Sequence, residues 1–290
     1  MTDGWIIGAG YVGSALAEAL RAMGRRPLEV RRHTAPPAGA AAHGRAVAAA
    51  DALDPTSLRA LPGTPIEYLC FCIPASTVPP GQPDPYVDGL RNCLAELDRR
   101  GATTTRVLLT SSTGVYEVGD GSWVDEETPT PGTAPRAARL HAAEALVRGR
   151  GASGVIARLS GIYGPGRTSL VEKVRDGSAR TPRATRYTNR IHRDDAAGAL
   201  AHLVALAAPE PRYIVTDDEP AELGEVLRWI ASELHRPVPP PEDAPGTGTP
   251  RYRAEGNKRC RNAKLRGSGY TLRYPTYREG YAALLAGSAP

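Results

Sequence analysis

The chain has 290 residues, 41% hydrophobic and 23% charged, enough apolar material for one large core or a core with a smaller lobe. A net charge of +5 and a pI near 9.1 make it mildly basic. No nucleic-acid motif accompanies that charge, so no nucleic-acid partner is expected. No apolar run is long enough to span a membrane, and the N-terminus starts in a strand without a leader pattern, so a cytoplasmic location is expected. The cysteines, Cys70, Cys72, Cys93 and Cys260, lack the C-x-x-C spacing of zinc or redox sites. Reduced thiols and no metal are the expectation.

Trp5, Ile6 and Ile7 form a short apolar strand running into Gly8-Ala9-Gly10-Tyr11-Val12-Gly13. After the glycines, Val12, Ala15, Leu16, Ala19, Leu20 and Met23 share one helical face. A strand, a G-x-G-x-x-G turn and a helix together predict a dinucleotide cradle. Gly8 permits the tight turn, Gly10 lets the backbone approach a pyrophosphate, and Gly13 lets helix and strand pack closely. The helix N-terminus supplies amide donors for the phosphates.

A second strand is expected over Leu28 to Arg31, then a loop rich in Ala, Pro and Gly, then a strand near Ala46 to Ala49. Asp51 to Pro55 opens a helix with Thr56 or Ser57 near its cap. Ile66 to Ile73 predicts a strand, Asp84 to Arg99 a helix, Val107 to Ser111 a strand, Arg136 to Arg148 a helix and Val155 to Leu159 a strand. This alternation predicts an α/β fold with a Rossmann-like, doubly wound parallel sheet. Beyond Gly164 the regularity fades. Helices are expected over Ser169 to Arg175, Asp194 to Ala207 and Ala221 to Leu234, a strand over Tyr213 to Val215, and a proline-rich loop over Pro237 to Pro250.

Arg31 and Arg32 follow the second strand, where a cation suits a 2′-phosphate, so NADP is favoured over NAD. Glu29 argues the other way if the strand ends earlier. Asp51, after the third strand, is placed to accept from an adenine amino group or to cap a turn. Thr110, Ser111, Ser112 and Thr113 lie at the carboxyl edge of the sheet, where ligands bind; their hydroxyls can hold a substrate oxygen or satisfy their own backbone. Two basic clusters stand out. One contains Arg180, Arg183, Arg186, Arg190 and Arg193; the other runs from Arg251 and Arg253 through Lys258, Arg259 and Arg261 to Arg266. Guanidinium forks suit carboxylate and phosphate, so a small anionic substrate is expected, with Arg186, Arg190 and Arg259 as candidate contacts. A solvated basic face is the alternative.

Four motifs occur in order: the glycine turn, Ser111-Ser112-Thr113-Gly114-Val115-Tyr116, Arg158-Leu159-Ser160-Gly161-Ile162-Tyr163-Gly164-Pro165-Gly166, and Ile191-His192-Arg193-Asp194-Asp195. With them the chain resembles an extended short-chain dehydrogenase/reductase of the NAD-dependent epimerase/dehydratase family. The tail from Asn257 to Tyr281 is similar to an atypical bacterial subgroup. The resemblance implies a Rossmann domain over 1–165 and a segment, 166–290, that completes the core and forms a small C-terminal substrate-binding lobe. It also implies a sugar-derived or otherwise anionic substrate and homodimers as a common state.

The family's catalytic Tyr-x-x-x-Lys pair is missing. Registering on Glu144 puts Arg136 at the tyrosine position and Leu140 at the lysine position. Ser112 survives from the family's catalytic set. Tyr116 and Tyr163, which the resemblance turns toward the cleft, and His141 and His192 are the candidates to move the proton. Reduction, epimerisation or elimination is expected. A non-catalytic dinucleotide sensor, or a lyase or isomerase without redox chemistry, is the alternative.

Overall fold

Gly4–Ile7 (β1) forms a strand because its residues are all buried and apolar or small, with Gly4 admitting the Tyr68 ring. A Cβ on Gly4 would stand 2.3 Å from that ring. The computed structural model of the protein describes residues 2–33, 45–63, 65–76, 78–79, 81–102, 105–242 and 256–287. After β1 come helix α1 (Tyr11–Ala22), strands β2 (Pro27–Arg31) and β3 (Ala46–Ala49), and helix α2 (Pro55–Arg59). Strand β4 (Tyr68–Phe71), helix α3 (Val87–Arg99), strand β5 (Arg106–Ser112), helix α4 (Pro135–Arg148) and strand β6 (Gly154–Leu159) follow. Then come helices α5 (Ser169–Arg175) and α6 (Arg193–Ala205), strand β7 (Arg212–Val215), and helices α7 (Leu223–Glu233), α8 (Ala263–Gly267) and α9 (Tyr277–Ala286).

The main sheet has seven strands in the order β7-β6-β5-β4-β1-β2-β3. The pairs β1–β2, β1–β4, β2–β3 and β4–β5 are parallel, as crossover helices require. The order reverses beside β1, so ligands of such a sheet bind at the carboxyl ends of β1 and β4. The expected doubly wound fold is therefore present.

By contact clustering the chain divides into two compact units. The first comprises Met1–Val115, Gly132–Arg158 and Ala197–Tyr213; the second comprises Tyr116–Pro131, Leu159–Ala196 and Ile214–Pro290. The first buries Trp5, Ile6, Leu16, Leu20, Phe71, Leu90 and Leu108, each worth about 1.5–3 kcal/mol on full burial. The second has its own core, where Val171, Val226, Ile230, Tyr277, Tyr281 and Leu284 bring α5, α7 and α9 together.

Several boundaries differ from expectation. The strand expected over Ile66 to Ile73 is only Tyr68–Phe71. Helix α3 starts at Val87, because Asp84 turns the chain by accepting from the Tyr86 amide. Helix α2 is capped by Asp54, not by Thr56 or Ser57: the Asp54 side chain accepts from the Thr56 amide and Pro55 takes the first helical position. The proline-rich loop is described only as far as 242, and the loop after β2 largely lies outside the described residues.

The short strand pairs escaped the sequence pattern: 161–163 with 190–192, 187–188 with 221–222, and 123–124 with 259–260. Runs of two or three residues have no readable period. All four cysteines are free, and the described residues hold no His/Cys/Asp/Glu group fit for a metal. No described helix is long and apolar enough to cross a membrane.

Candidate functional site

The glycine turn of the first unit has the stereochemistry a dinucleotide needs. Gly8 sits at φ +83, and a Cβ there would stand 2.8 Å from the Ile73 amide nitrogen. The Gly8 and Ala9 amides both donate to the Val30 carbonyl at 3.1 Å, tying the turn to β2. A Cβ on Gly13 would stand 2.7 Å from the Gly8 carbonyl oxygen, so only glycine lets α1 pack this close. Gly10 is different. Its nearest neighbour for a Cβ is 3.9 Å away, so its exposed face is free for a ligand. Helix α1 begins at Tyr11 with no side-chain cap and no acid in its first turn. Its first amides, from Tyr11, Val12 and Gly13, therefore lack intrahelical partners, and a pyrophosphate fits them.

Glu29 is fully buried and held by three guanidinium groups: Arg21 at 2.5 Å, Arg31 at 3.0 Å and Arg45 at 2.8 Å. Burial alone would raise its pKa; the hydrogen bonds from Arg45, Arg21 and Arg31 outweigh that and hold it below the usual range. Glu29 is thus committed to the protein interior. Arg31 also donates to Ser14 Oγ at 2.9 Å, while Arg32 is exposed. Asp51 Oδ1 accepts from the Leu53 amide at 2.9 Å, which closes a turn.

The hydroxyl run at the end of β5 splits by the alternation of a strand. Thr110 Oγ1 donates to the Phe71 carbonyl and Ser111 Oγ to Glu144 Oε1 at 2.7 Å. Ser112 Oγ accepts from the Gly114 amide at 3.0 Å, and Thr113 is buried. Glu144 also accepts from Arg158, Nε at 3.0 Å and Nη2 at 2.7 Å, and both side chains are buried. This triad pins α4 onto β5 and β6, and with it the phase of the helix. Leu140 is buried and Arg136 is exposed, in the first turn, where the helix dipole disfavours a cation. His141 packs against Gly132, and its Nε2 is buried without a hydrogen-bond partner.

The second unit holds a cleft of about 540 Å³ whose lining includes Tyr163, Arg167, Thr168, Arg186, Asn189 and Arg190. Tyr163 is buried, with its hydroxyl unpartnered and its ring against His192 and Tyr281. Burial, then the nearby Asp217, pushes its phenol well up, which weakens it as an acid at neutral pH. His192 is buried, and its Nδ1 accepts from the Asp194 amide at 3.2 Å. Burial lowers its pKa against the pull of Asp194 and Asp195, which favours neutral imidazole. Tyr116 is fully buried, and its carbonyl accepts the Lys258 ammonium at 3.1 Å. Burial pulls the Lys258 pKa down.

The arginine clusters divide. Arg186 and Arg190 line the cleft, and Arg190 Nη2 donates to Thr188 Oγ1 at 2.5 Å. Arg259 instead donates to the Gly121 carbonyl and lies over the Trp123 and Tyr187 rings at 5.0 and 4.6 Å. Arg180 and Arg183 donate to backbone carbonyls, and Arg266 pairs with Asp218. Arg251 and Arg253 lie outside the described residues. Sequence reasoning passed over Arg167 and the Glu144–Arg158 pair. A charged residue inside the apolar run Val155–Leu159 was the available signal for the pair, because a buried cation demands a partner.

The model of the NAD dependent epimerase/dehydratase family matches residues 5–205. A protein from Methylobacillus flagellatus described as an NAD-dependent epimerase/dehydratase is 36% identical, with a TM-score of 0.79 over 99% of this chain and 98% of its own. A conserved protein of unknown function from Silicibacter pomeroyi is 30% identical, with a TM-score of 0.78 over the full length of both chains. WbmG of Bordetella bronchiseptica, solved with NAD and UDP, shares the fold at 18% identity, with a TM-score of 0.77 over 97% of this chain and 92% of its own. No curated protein matches the chain.

Proposed function

The chain belongs to the NAD-dependent epimerase/dehydratase family, and on that premise we propose that it is an NADP(H)-using enzyme acting on a small, anionic, sugar-derived or nucleotide-linked substrate. The observation that carries this reading is the glycine turn, where every close approach is closed to a Cβ except at Gly10, on the side left for a ligand. Gly8, Gly10 and the first amides of α1 would hold the pyrophosphate, and Asp51 the adenine. Arg32 is exposed and Glu29 is bound by three arginines, so the β2 edge offers a cation and no free acid. That balance favours a 2′-phosphate over a ribose diol. A bound nicotinamide supplies hydride-transfer chemistry; Ser112 orients the substrate oxygen. Arg167, Arg186 and Arg190 give the cleft of the second unit a positive wall suited to a phosphate. Proton movement falls to Tyr163, Tyr116, His141 or His192, since neither Arg136 nor Leu140 can serve as the missing pair. That same absence supports a second reading, a dinucleotide-binding sensor without turnover.

Calorimetric titration with NADPH and NADH tests the proposal, with Gly10→Val as the partner variant. A side chain at Gly10 meets open space in the protein, so the fold should survive. NADPH should bind more tightly than NADH, and the variant should lose about 100-fold in affinity because its side chain takes the pyrophosphate's place. Equal binding by variant and parent would overturn the cradle. Tight binding without turnover across a panel of sugar nucleotides would favour the sensor.

A further inference from the structure

We propose that Ser112 and Arg136 form a carboxylate-binding pair over Gly114, so that the position of the family's catalytic tyrosine holds an anion instead of moving a proton. The inference deepens the anionic-substrate reading above and rests on it for the identity of the ligand as substrate. The geometry is local to the first unit. A point one carbon out from Gly114 lies 3.3 Å from Ser112 Oγ and 3.5 Å from Arg136 Nε, with Leu140 Cδ1 next at 3.8 Å. Glycine leaves that point unfilled, and two polar side chains and one apolar one converge on it.

The hydrogen-bonding character of the two groups is one-sided. Ser112 Oγ already accepts from the Gly114 amide, so its hydroxyl hydrogen remains to be given. A guanidinium has donors and no acceptor, and does not release a proton in a protein. The space over Gly114 thus faces donors and a fixed positive charge, which suits an ionised oxygen. The charge is also uncommitted. On the same helix Arg139 is paired with Asp84 and Arg148 with Glu144, whereas Arg136 has no carboxylate partner among the described residues. Leu140, in the lysine register, lends an apolar wall that strengthens the attraction for an anion. The Ser111–Glu144–Arg158 triad keeps the helix from rotating Arg136 away.

Phenylglyoxal labelling read by peptide mass spectrometry tests the pair. Malonate should slow modification of Arg136 about fivefold or more, a charge-assisted bidentate effect, while neutral acetamide does not. Exposed Arg59 should react at the same rate throughout. Gly114→Val fills the space and Ser112→Ala removes one donor; both should abolish the protection. Equal protection of Arg59 and Arg136, or protection surviving in Gly114→Val, would overturn the proposal. Dinucleotide titration of the same preparations separates the two readings. Protection without dinucleotide binding would sink the proposed enzyme and leave the pair; dinucleotide binding without protection would do the reverse.

Discussion

The two units bury acids in opposite ways. In the first, Glu29, Glu96 and Glu144 are all held by arginine; only Asp3 takes an amide and a phenol, from Arg26 and Tyr68. In the second, Asp195 takes the amides of Arg273 and Tyr274 and the Tyr270 hydroxyl, and Glu126 takes the Ile214 amide. Asp217 is buried with both oxygens unpartnered; the Arg190 guanidinium and the Glu219 amide pull its pKa down without closing a hydrogen bond. The physical reason is the backbone. Helices and strands consume their own amides, so a buried acid among them needs a cation. Irregular backbone has amides to spare, and carboxylates organise it. The pKa directions follow. Side-chain bonds from Arg99 and Arg100, against burial, hold Glu96 at about 2, whereas burial raises Glu126 and lifts Asp217 well above its ordinary range.

Breaking the guanidinium side should cost most. Glu144→Ala leaves Arg158 charged and unpaired in the core, with an expected loss of about 3–5 kcal/mol in urea unfolding. A loss below 1 kcal/mol, on the order of an exposed pair, would mean that water replaces the carboxylate.

Asp217→Asn sharpens the other side. The folded-state pKa of Asp217 is raised, so the stability its neutral form provides is complete below the unfolded value of about 3.9 and is lost as pH climbs toward the folded value. The amide does not ionise. It should therefore raise stability by on the order of 1–2 kcal/mol near pH 7, the gain shrinking toward pH 4. Thermal melts across that range check the sign; a gain that grows as pH falls would contradict it.

The smallest effect is expected at α9, where Thr276 and Glu279 form a reciprocal cap. Thr276→Ala should cost about 1 kcal/mol and leave dinucleotide affinity unchanged. A shift in that affinity would show that the second unit's last helix bears on the cradle.

The sheet strands were legible because buried parallel strands between amphipathic helices leave long apolar runs, as at Trp5–Ile7 and Val155–Leu159. The glycine turn was legible because its constraint is steric and local. Helix α9 was also readable from Thr276 and Glu279, but the motif was taken only as part of a family-like tail. The expected anion contacts were legible only in part. Composition grouped Arg259 with Arg186, yet one guanidinium stacks on Trp123 and Tyr187 while the other lines a cleft.

The sequence by itself determined the α/β class, the dinucleotide turn and the loss of the Tyr-x-x-x-Lys pair, since each depends on short-range spacing. Only the tertiary structure decided which charges are spent and which remain. Glu29 is neutralised by arginines 2 to 16 positions away, and Glu144 by Arg158 and Ser111 across two strands. Whether Arg136 stands without a carboxylate is likewise a matter of what the folded chain brings beside it. Pairing at a distance in sequence costs chain entropy that only the assembled core repays, and so leaves no periodic trace to read.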